Sequence, residues 1–225
     1  MNVGIIVAAG RGERMGGDVD KAFLSLGPKP VLAYSLVAFQ HCDDIDEIII
    51  VVRKERVDSA RSMAQMFGCT KVVKVVAGGA KRQASVANGL EALGADTRVV
   101  AVHDGARPCV TPRMISDTVQ SALSHGSGVA AVKVTDTVKY VERGLTVTRT
   151  IDREKLWLVQ TPQAFEVDLL KQAFEEVRKR KATVTDEASA VELLGKEVRL
   201  VPVSATNIKV TMADDLLMAS TFLKL

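Results

Sequence analysis

Three observations predict an α/β fold with a Rossmann-like, mixed but mainly parallel sheet flanked by helices. Short β-branched runs alternate with helix-length amphipathic segments along the 225 residues, the rhythm of a sheet built by right-handed crossovers. The runs are nearly continuous in Val and Ile, as strands covered on both faces should be. Turns rich in glycine or charge follow several run ends, and in such sheets ligands bind beyond the carboxyl ends of the strands.

The predicted strands are Val3 to Ala8, Glu47 to Val52, Lys71 to Val76, Arg98 to His103, Gly128 to Val134 and Val198 to Val201. Between them the amphipathic stretches Val31 to His41, Val57 to Phe67, Gln83 to Leu93, Pro112 to Ser124 and Val167 to Lys181 predict helices. Thr135 to Thr150 breaks the rhythm, with period-2 alternation on both sides of Glu142-Arg143-Gly144, and reads as a β-hairpin. A hairpin alone in water is marginal, so it is expected to pack on something, a second subunit first of all. A final helix spans Thr211 to Leu225, with Thr211 as N-cap, Asp214 and Asp215 in its first turn, and Leu and Met residues in the core. With no linker or repeat, the expectation is one domain over 1–225 with a β-arm at about 135–153.

Composition narrows the function classes. A net charge of +3 is too small to imply nucleic acid, although a few extra cations suit an anionic substrate. Cys42, Cys69 and Cys109 are odd in number and far apart, which fits neither a disulfide framework nor a zinc site and points to a reducing compartment. No charged leader precedes the first strand, and no apolar run reaches the roughly 18 residues of a membrane span. A cytoplasmic protein is expected.

The richest text is Ala8-Ala9-Gly10-Arg11-Gly12-Glu13-Arg14-Met15, followed by Lys21. Glycines let backbone N–H groups approach phosphate oxygens, Arg14 adds a planar fork, and Lys21 adds a point charge. On spacing alone, this is either a triphosphate grip or a surface turn with solvated cations. It is not a P-loop, and the dinucleotide fingerprint fails because Met15 replaces the last glycine and Arg53 follows the second strand where an acidic residue should stand. Gly78-Gly79-Ala80-Lys81-Arg82-Gln83-Ala84-Ser85 repeats the pattern, with a capped helix start as the plain alternative. His103-Asp104-Gly105-Ala106-Arg107-Pro108 puts a carboxylate at a strand end, either to hold Mg²⁺ on phosphates or to form a turn tied by an Asp104–Arg107 pair. Arg153 and Lys209 lie outside these loops, and spacing alone does not lift them above surface cations.

Taken in order, these blocks resemble a known family. Ala8-Ala9-Gly10-x-Gly12-x-Arg14-Met15, Gly78-Gly79-x-x-Arg82-x-x-Ser85-Val86, His103 to Pro108, Thr161-Pro162-Gln163, Thr185-Asp186-Glu187-Ala188 and Asn207-Ile208-Lys209-Val210-Thr211 together resemble the 2-C-methyl-D-erythritol 4-phosphate cytidylyltransferases. The resemblance covers essentially the whole chain. It implies a nucleotidyltransferase type A-like fold and transfer of CMP from CTP to the alcohol phosphate, with Mg²⁺ and release of pyrophosphate. By motif, Ala8, Ala9, Gly10, Gly12, Gly79, Arg82, Ser85 and Asp104 would bind the nucleotide, with Asp104 also engaging Mg²⁺. Arg14 and Lys21 would stabilise the transition state. Thr137, Arg153 and Lys209 would position the acceptor, with Asp104 and Arg107 beside it. The resemblance also implies a homodimer in which the hairpin lends Thr137 and Arg153 to the partner's site.

One departure stands out. The family's usual Pro-Lys-Gln is here Asp20-Lys21-Ala22. The lysine is kept, but the missing proline leaves the backbone less restricted, and Asp20 is expected to screen Lys21 in part and loosen loop closure. Two alternatives carry different tests: a ribitol-5-phosphate cytidylyltransferase, distinguished by its acceptor, and a nucleotide-binding protein without turnover, distinguished by CTP binding with no pyrophosphate release.

Overall fold

The structure is a computed structural model that describes residues 1–10 and 20–225. The elements, in chain order, are β1 (Asn2–Ala8), β2 (Ser25–Leu26), β3 (Lys29–Pro30), α1 (Val31–Gln40), β4 (Glu47–Val52), α2 (Val57–Met66), β5 (Val72–Ala77), α3 (Arg82–Glu91) and β6 (Val99–Asp104). They continue as α4 (Pro112–His125), β7 (Ser127–Lys133), β8 (Val138–Val141), β9 (Val147–Ile151), β10 (Trp157–Glu166), α5 (Val167–Arg180), α6 (Glu187–Glu192), β11 (Leu200–Pro202) and α7 (Ala213–Leu223). Short 3₁₀ turns cover Lys21–Phe23, Lys54–Arg56 and Arg153–Lys155.

Seven strands form the central sheet in the order β11-β7-β10-β6-β1-β4-β5. β1 pairs in parallel with both β4 and β6, and β4 with β5. β10 alone runs against its neighbours β6 and β7, which makes the sheet mixed but mainly parallel. The Val and Ile runs are explained by two apolar layers. Ile6, Ile48 and Ile50 face α1, α2 and α4, packing with Leu36, Phe39 and Ile115. The alternate residues Ile5, Ile49 and Val51 face α3, α5 and α6, packing with Val86, Leu170 and Val191. A strand buried on both sides has no polar face to show.

The six predicted strands and five crossover helices are present, with ends moved by one or two residues. Three features differ from expectation. β10 was not among the predicted strands: Pro162 cannot donate to a ladder, and the pairing with β7 slips between Val159 and Gln163 to accommodate it. The hairpin forms as β8 and β9 and, among the described residues, pairs only with itself, but its loop is longer than Glu142-Arg143-Gly144, because Val141 pairs with Val147. Gly144 takes φ +59° there, a conformation that glycine adopts without strain.

The last helix needs the largest correction. It begins at Ala213 with Met212 as N-cap. Thr211 is not the cap: its N–H and hydroxyl both donate to Asp215 Oδ2, at 2.6 and 2.7 Å. Its large apolar residues are not core either. Leu217 is 70% exposed and Phe222 40%, and only Ala219 is fully covered. The polar residues of α7, Asp214, Asp215, Ser220 and Thr221, are spread around the helix among its apolar ones, so periodicity had no single polar face from which to tell inside from outside. Leu216 and Leu223 do pack on Leu26, Val31 and Val210, which seats the segment before α7 beside the Lys21 turn.

Cys42, Cys69 and Cys109 are free and buried. Among the described residues no helix is long and apolar enough to cross a membrane.

Candidate active site

A cleft of about 720 Å³ opens at the carboxyl ends of β1, β4, β5 and β6, where an open parallel sheet places its ligands. Its cations are Lys21, Arg53, Lys54, Lys81, Arg82 and Lys209, against the carboxylates Glu55 and Asp104. Focusing of that kind favours a polyanion.

The first wall is Val7 to Gly10, which leaves β1 directly into the cleft. Facing it is the turn after β5. A Cβ on Gly78 would sit 2.4 Å from Ala9 Cβ and 2.7 Å from Ser85 Oγ, so only glycine lets the two walls approach. The Gly79 N–H donates to Ser85 Oγ at 3.1 Å. Ser85 is buried in the first turn of α3 and ties the glycine turn to the helix. The start of α3 lies in the cleft wall with Lys81 and Arg82, and free N–H groups at a helix start favour bound anions.

Asp104 ends β6 and is the centre of the charge network. Arg82 Nε donates to its Oδ1 at 2.9 Å, and Lys209 Nζ to its Oδ2 at 2.6 Å. Burial alone would raise the Asp104 pKa, but Arg82 and Lys209 outweigh it and hold the carboxyl well below the usual range. The other edge of Arg82 makes a two-pronged bond to the fully buried Glu187, at 2.6 and 3.0 Å. Burial pushes the Glu187 carboxyl up against the pull of Arg82, while its two carboxylate partners keep Arg82 charged. Glu187 is placed by Gln163, whose Nε2 donates to Asp186 Oδ2 at 2.9 Å and whose Oε1 accepts from Ala188 N–H at 2.9 Å. The motifs at 161–163 and 185–188 thus brace the cleft from behind.

His103 supports Asp104 from below. Its Nε2–H donates to the Arg107 carbonyl at 3.3 Å. Nδ1 then accepts from the Thr161 hydroxyl at 3.1 Å, and Thr161 Oγ1 in turn accepts from the Asp104 N–H at 3.0 Å. Complete burial lowers the His103 pKa from 6.5 to about 3. The unfolded chain therefore takes up a proton below pH 6.5 that the folded chain refuses until about pH 3, and stability falls with pH across that window. We expect the melting temperature to drop between pH 7 and pH 5, and His103→Gln, which offers one donor and one acceptor without a titratable ring, to flatten that drop. An equal drop in both proteins would assign the acid sensitivity to other groups.

Other expected site residues fall in different places. Lys21 lines the cleft and donates to the Thr211 carbonyl at 2.8 Å. Asp20 places its buried Oδ2 3.0 Å from Arg53 and 2.9 Å from Arg56, two ion pairs that adjacency to Lys21 does not suggest. Arg107 does not line the cleft. It donates to the Asn207 carbonyl at 2.8 Å, while its Nε is 3.9 Å from Asp104, so the Asp104–Arg107 pair is loose. The Val210 N–H donates to the Ala106 carbonyl at 2.8 Å, which fixes Lys209 opposite Asp104. Thr137 and Arg153 flank the hairpin and are not among the residues that line this cleft, and Arg153 donates to the Thr135 carbonyl. Gly12 and Arg14 lie outside the described residues. Sequence reasoning gave no site role to Glu187, Gln163 or Arg53; a buried carboxylate beside an arginine 105 positions away leaves no local signal.

Among the described residues no group of three or more His, Cys, Asp or Glu is arranged to hold a metal ion. The cleft is lined by two carboxylates, Asp104 and the more outlying Glu55, whose side chain is 64% exposed. That donor set fits Mg²⁺ in the manner of nucleotide sites, where one or two carboxylates act with phosphate oxygens and water.

Comparison with known proteins agrees with this geometry. The profile of the family described as IspD, 2-C-methyl-D-erythritol 4-phosphate cytidylyltransferase, matches residues 2–225. The protein of that name from Pelotomaculum thermopropionicum is 43% identical over 98% of this chain and 93% of its own. The one from Dehalococcoides mccartyi is also 43% identical, over 98% of this chain and 95% of its own. Among solved structures, 4-diphosphocytidyl-2C-methyl-D-erythritol synthase from Anaerococcus prevotii superposes with TM-score 0.88 at 28% identity, covering 100% of this chain and 96% of its own. The Thermus thermophilus cytidylyltransferase does so with TM-score 0.81 at 32% identity and 98% coverage of both chains. With its cation-lined cleft and its full-length match, the chain belongs to the 2-C-methyl-D-erythritol 4-phosphate cytidylyltransferase family.

Proposed function

We propose that this cleft transfers CMP from CTP to 2-C-methyl-D-erythritol 4-phosphate, in the non-mevalonate route to isoprenoid precursors. A phosphate oxygen of the acceptor forms a bond to the α-phosphorus of CTP. The bond to the β-phosphate bridge breaks, and CDP-methylerythritol and pyrophosphate leave. The observation that carries this reading is the ring of cations around Asp104 in a chain of this family.

The chemistry asks little of proton transfer. A phosphate monoester has a second pKa of about 6, so the acceptor is largely dianionic at neutral pH and needs no general base. The obstacle is anion meeting anion, and catalysis becomes positioning plus charge stabilisation. Ala8, Ala9, Gly10, Gly79 and Ser85 shape the nucleotide side, with the α3 N-terminus toward the phosphates. Arg82 and Asp104 brace that side. Lys21, with Arg14 by sequence, neutralises charge that grows on the α-phosphate and the departing pyrophosphate. Lys209 keeps an ammonium at the cleft, 40% exposed, to hold the acceptor phosphate in line. Mg²⁺, reached from the protein by Asp104, supplies further neutralisation of the triphosphate when bound.

Thr137 and Arg153 act in trans in this reading. Among the described residues the hairpin pairs only with itself, and residues 139–150 are exposed, which suits an arm that embraces a second copy. Three free cysteines suit the cytoplasm. Pyrophosphate release measured with methylerythritol phosphate and ribitol 5-phosphate in parallel tests the acceptor. The first alone should support rapid turnover, and preference for the second would replace the reading. Specific activity should also fall on dilution as dimers dissociate, and a monomer with full turnover would remove the arm from the site.

A further inference from the structure

Asp20 is a buried carboxylate that the transfer mechanism does not yet use. Its side chain is 4% exposed, with Oδ2 at 3.0 Å from Arg53 NH2 and 2.9 Å from Arg56 Nε. Oδ1 is also buried and has no hydrogen-bond partner among the described residues. Burying a carboxylate is costly unless its charge is paired, so the two guanidiniums and the carboxylate hold one another in place. What they join is informative. Arg53 follows the last residue of β4 and lines the cleft. Arg56 lies in the next turn and stacks on Phe23, 5.1 Å from the ring centre. The Asp20 carbonyl accepts from the Phe23 N–H at 3.0 Å and opens the turn that carries Lys21. One side chain thus links the β4 wall of the cleft to the Lys21 wall.

We propose that Asp20 is a positioning residue for cytidylyl transfer: its carboxylate orients Arg53 in the cleft wall and fixes the Lys21 turn against β4. A proline at this position would restrict the backbone by its ring; here an ion pair to an arginine of the cleft wall supplies the restraint. The proposal rests on the reading of the cleft as the CTP site.

A kinetic double-mutant cycle tests it in the full chain. Asp20→Asn removes the charge with little change in shape. It should lower kcat/KM for CTP by about 10- to 100-fold, the scale of a small misplacement of reacting groups, at a temperature well below the melting midpoint of the variant. Arg53→Met should lower it too, and the double variant should lose at least about fivefold less than the product of the single losses. A purely structural Asp20 would lower the melting temperature without that coupling in kcat/KM. An Asp20→Asn enzyme within about twofold of the parent, or losses that multiply, would overturn the proposal. If Asp20→Asn does not fold, Asp20→Glu carries the same cycle, since it keeps the charge and moves it outward by one methylene. Lys21→Ala separates the two readings: if it leaves turnover unchanged, the CTP assignment of the cleft fails whatever Asp20 does.

Discussion

Replacing Lys21 with alanine should lower kcat by about 100- to 1,000-fold, or roughly 2.7–4 kcal/mol of transition-state stabilisation, while the KM for CTP moves only a few-fold. The ammonium stands on the cleft wall, steadied by the Thr211 carbonyl at 2.8 Å. In the proposed reading CTP in its ground state would meet many cations here, so one more would add little to binding. Charge that grows on the α-phosphate and the leaving pyrophosphate is a different matter, because a fixed cation meets it without reorganisation. Steady-state kinetics with CTP varied at saturating acceptor checks this. A raised KM with kcat intact would make Lys21 a uniform binder instead.

Glu187→Ala should be among the most destabilising single changes in the chain. The carboxylate is fully buried and takes both prongs of Arg82 at 2.6 and 3.0 Å. Removing one member of such a buried pair costs about 3–5 kcal/mol, and here it would leave Arg82 with Asp104 as its remaining carboxylate partner. Urea unfolding should show a large fall in midpoint, and Glu187→Gln a smaller one because an acceptor for Arg82 remains. A loss below about 1 kcal/mol would mean that Arg82 finds water or Asp104 alone sufficient. Activity should fall with stability, since a freed Arg82 no longer holds Asp104 Oδ1.

Much of this molecule is written locally. The Val and Ile runs of β1, β4 and β6 read as strands because both of their faces are buried, and the glycine and charged turns that follow β1, β5 and β6 all open on one cleft. What stayed hidden depends on partners distant in the chain. β10 is a strand because β6 and β7 flank it, despite Pro162. The roles of Gln163 and Glu187 appear only once α6 is packed behind Arg82. Asp20 adjoins Lys21 in sequence, and adjacency suggests screening; its pairs with Arg53 and Arg56 appear only in the fold. α7 offered no single polar face to orient it, so its exposed Leu217 and Phe222 read as core.

The segment from Lys209 to Thr211 has a consequence for the order of assembly. The other walls of the cleft come from residues up to Ala106, yet Lys209 meets Asp104 across 105 positions and Thr211 meets Lys21 across 190. Contacts of such separation are slow to form, because a long loop must close before they repay its entropy. Lys209 to Thr211 is thus the last part of the cleft wall to emerge during synthesis. Until it docks, Asp104 lacks one of its two short-range cations and Lys21 lacks its carbonyl anchor.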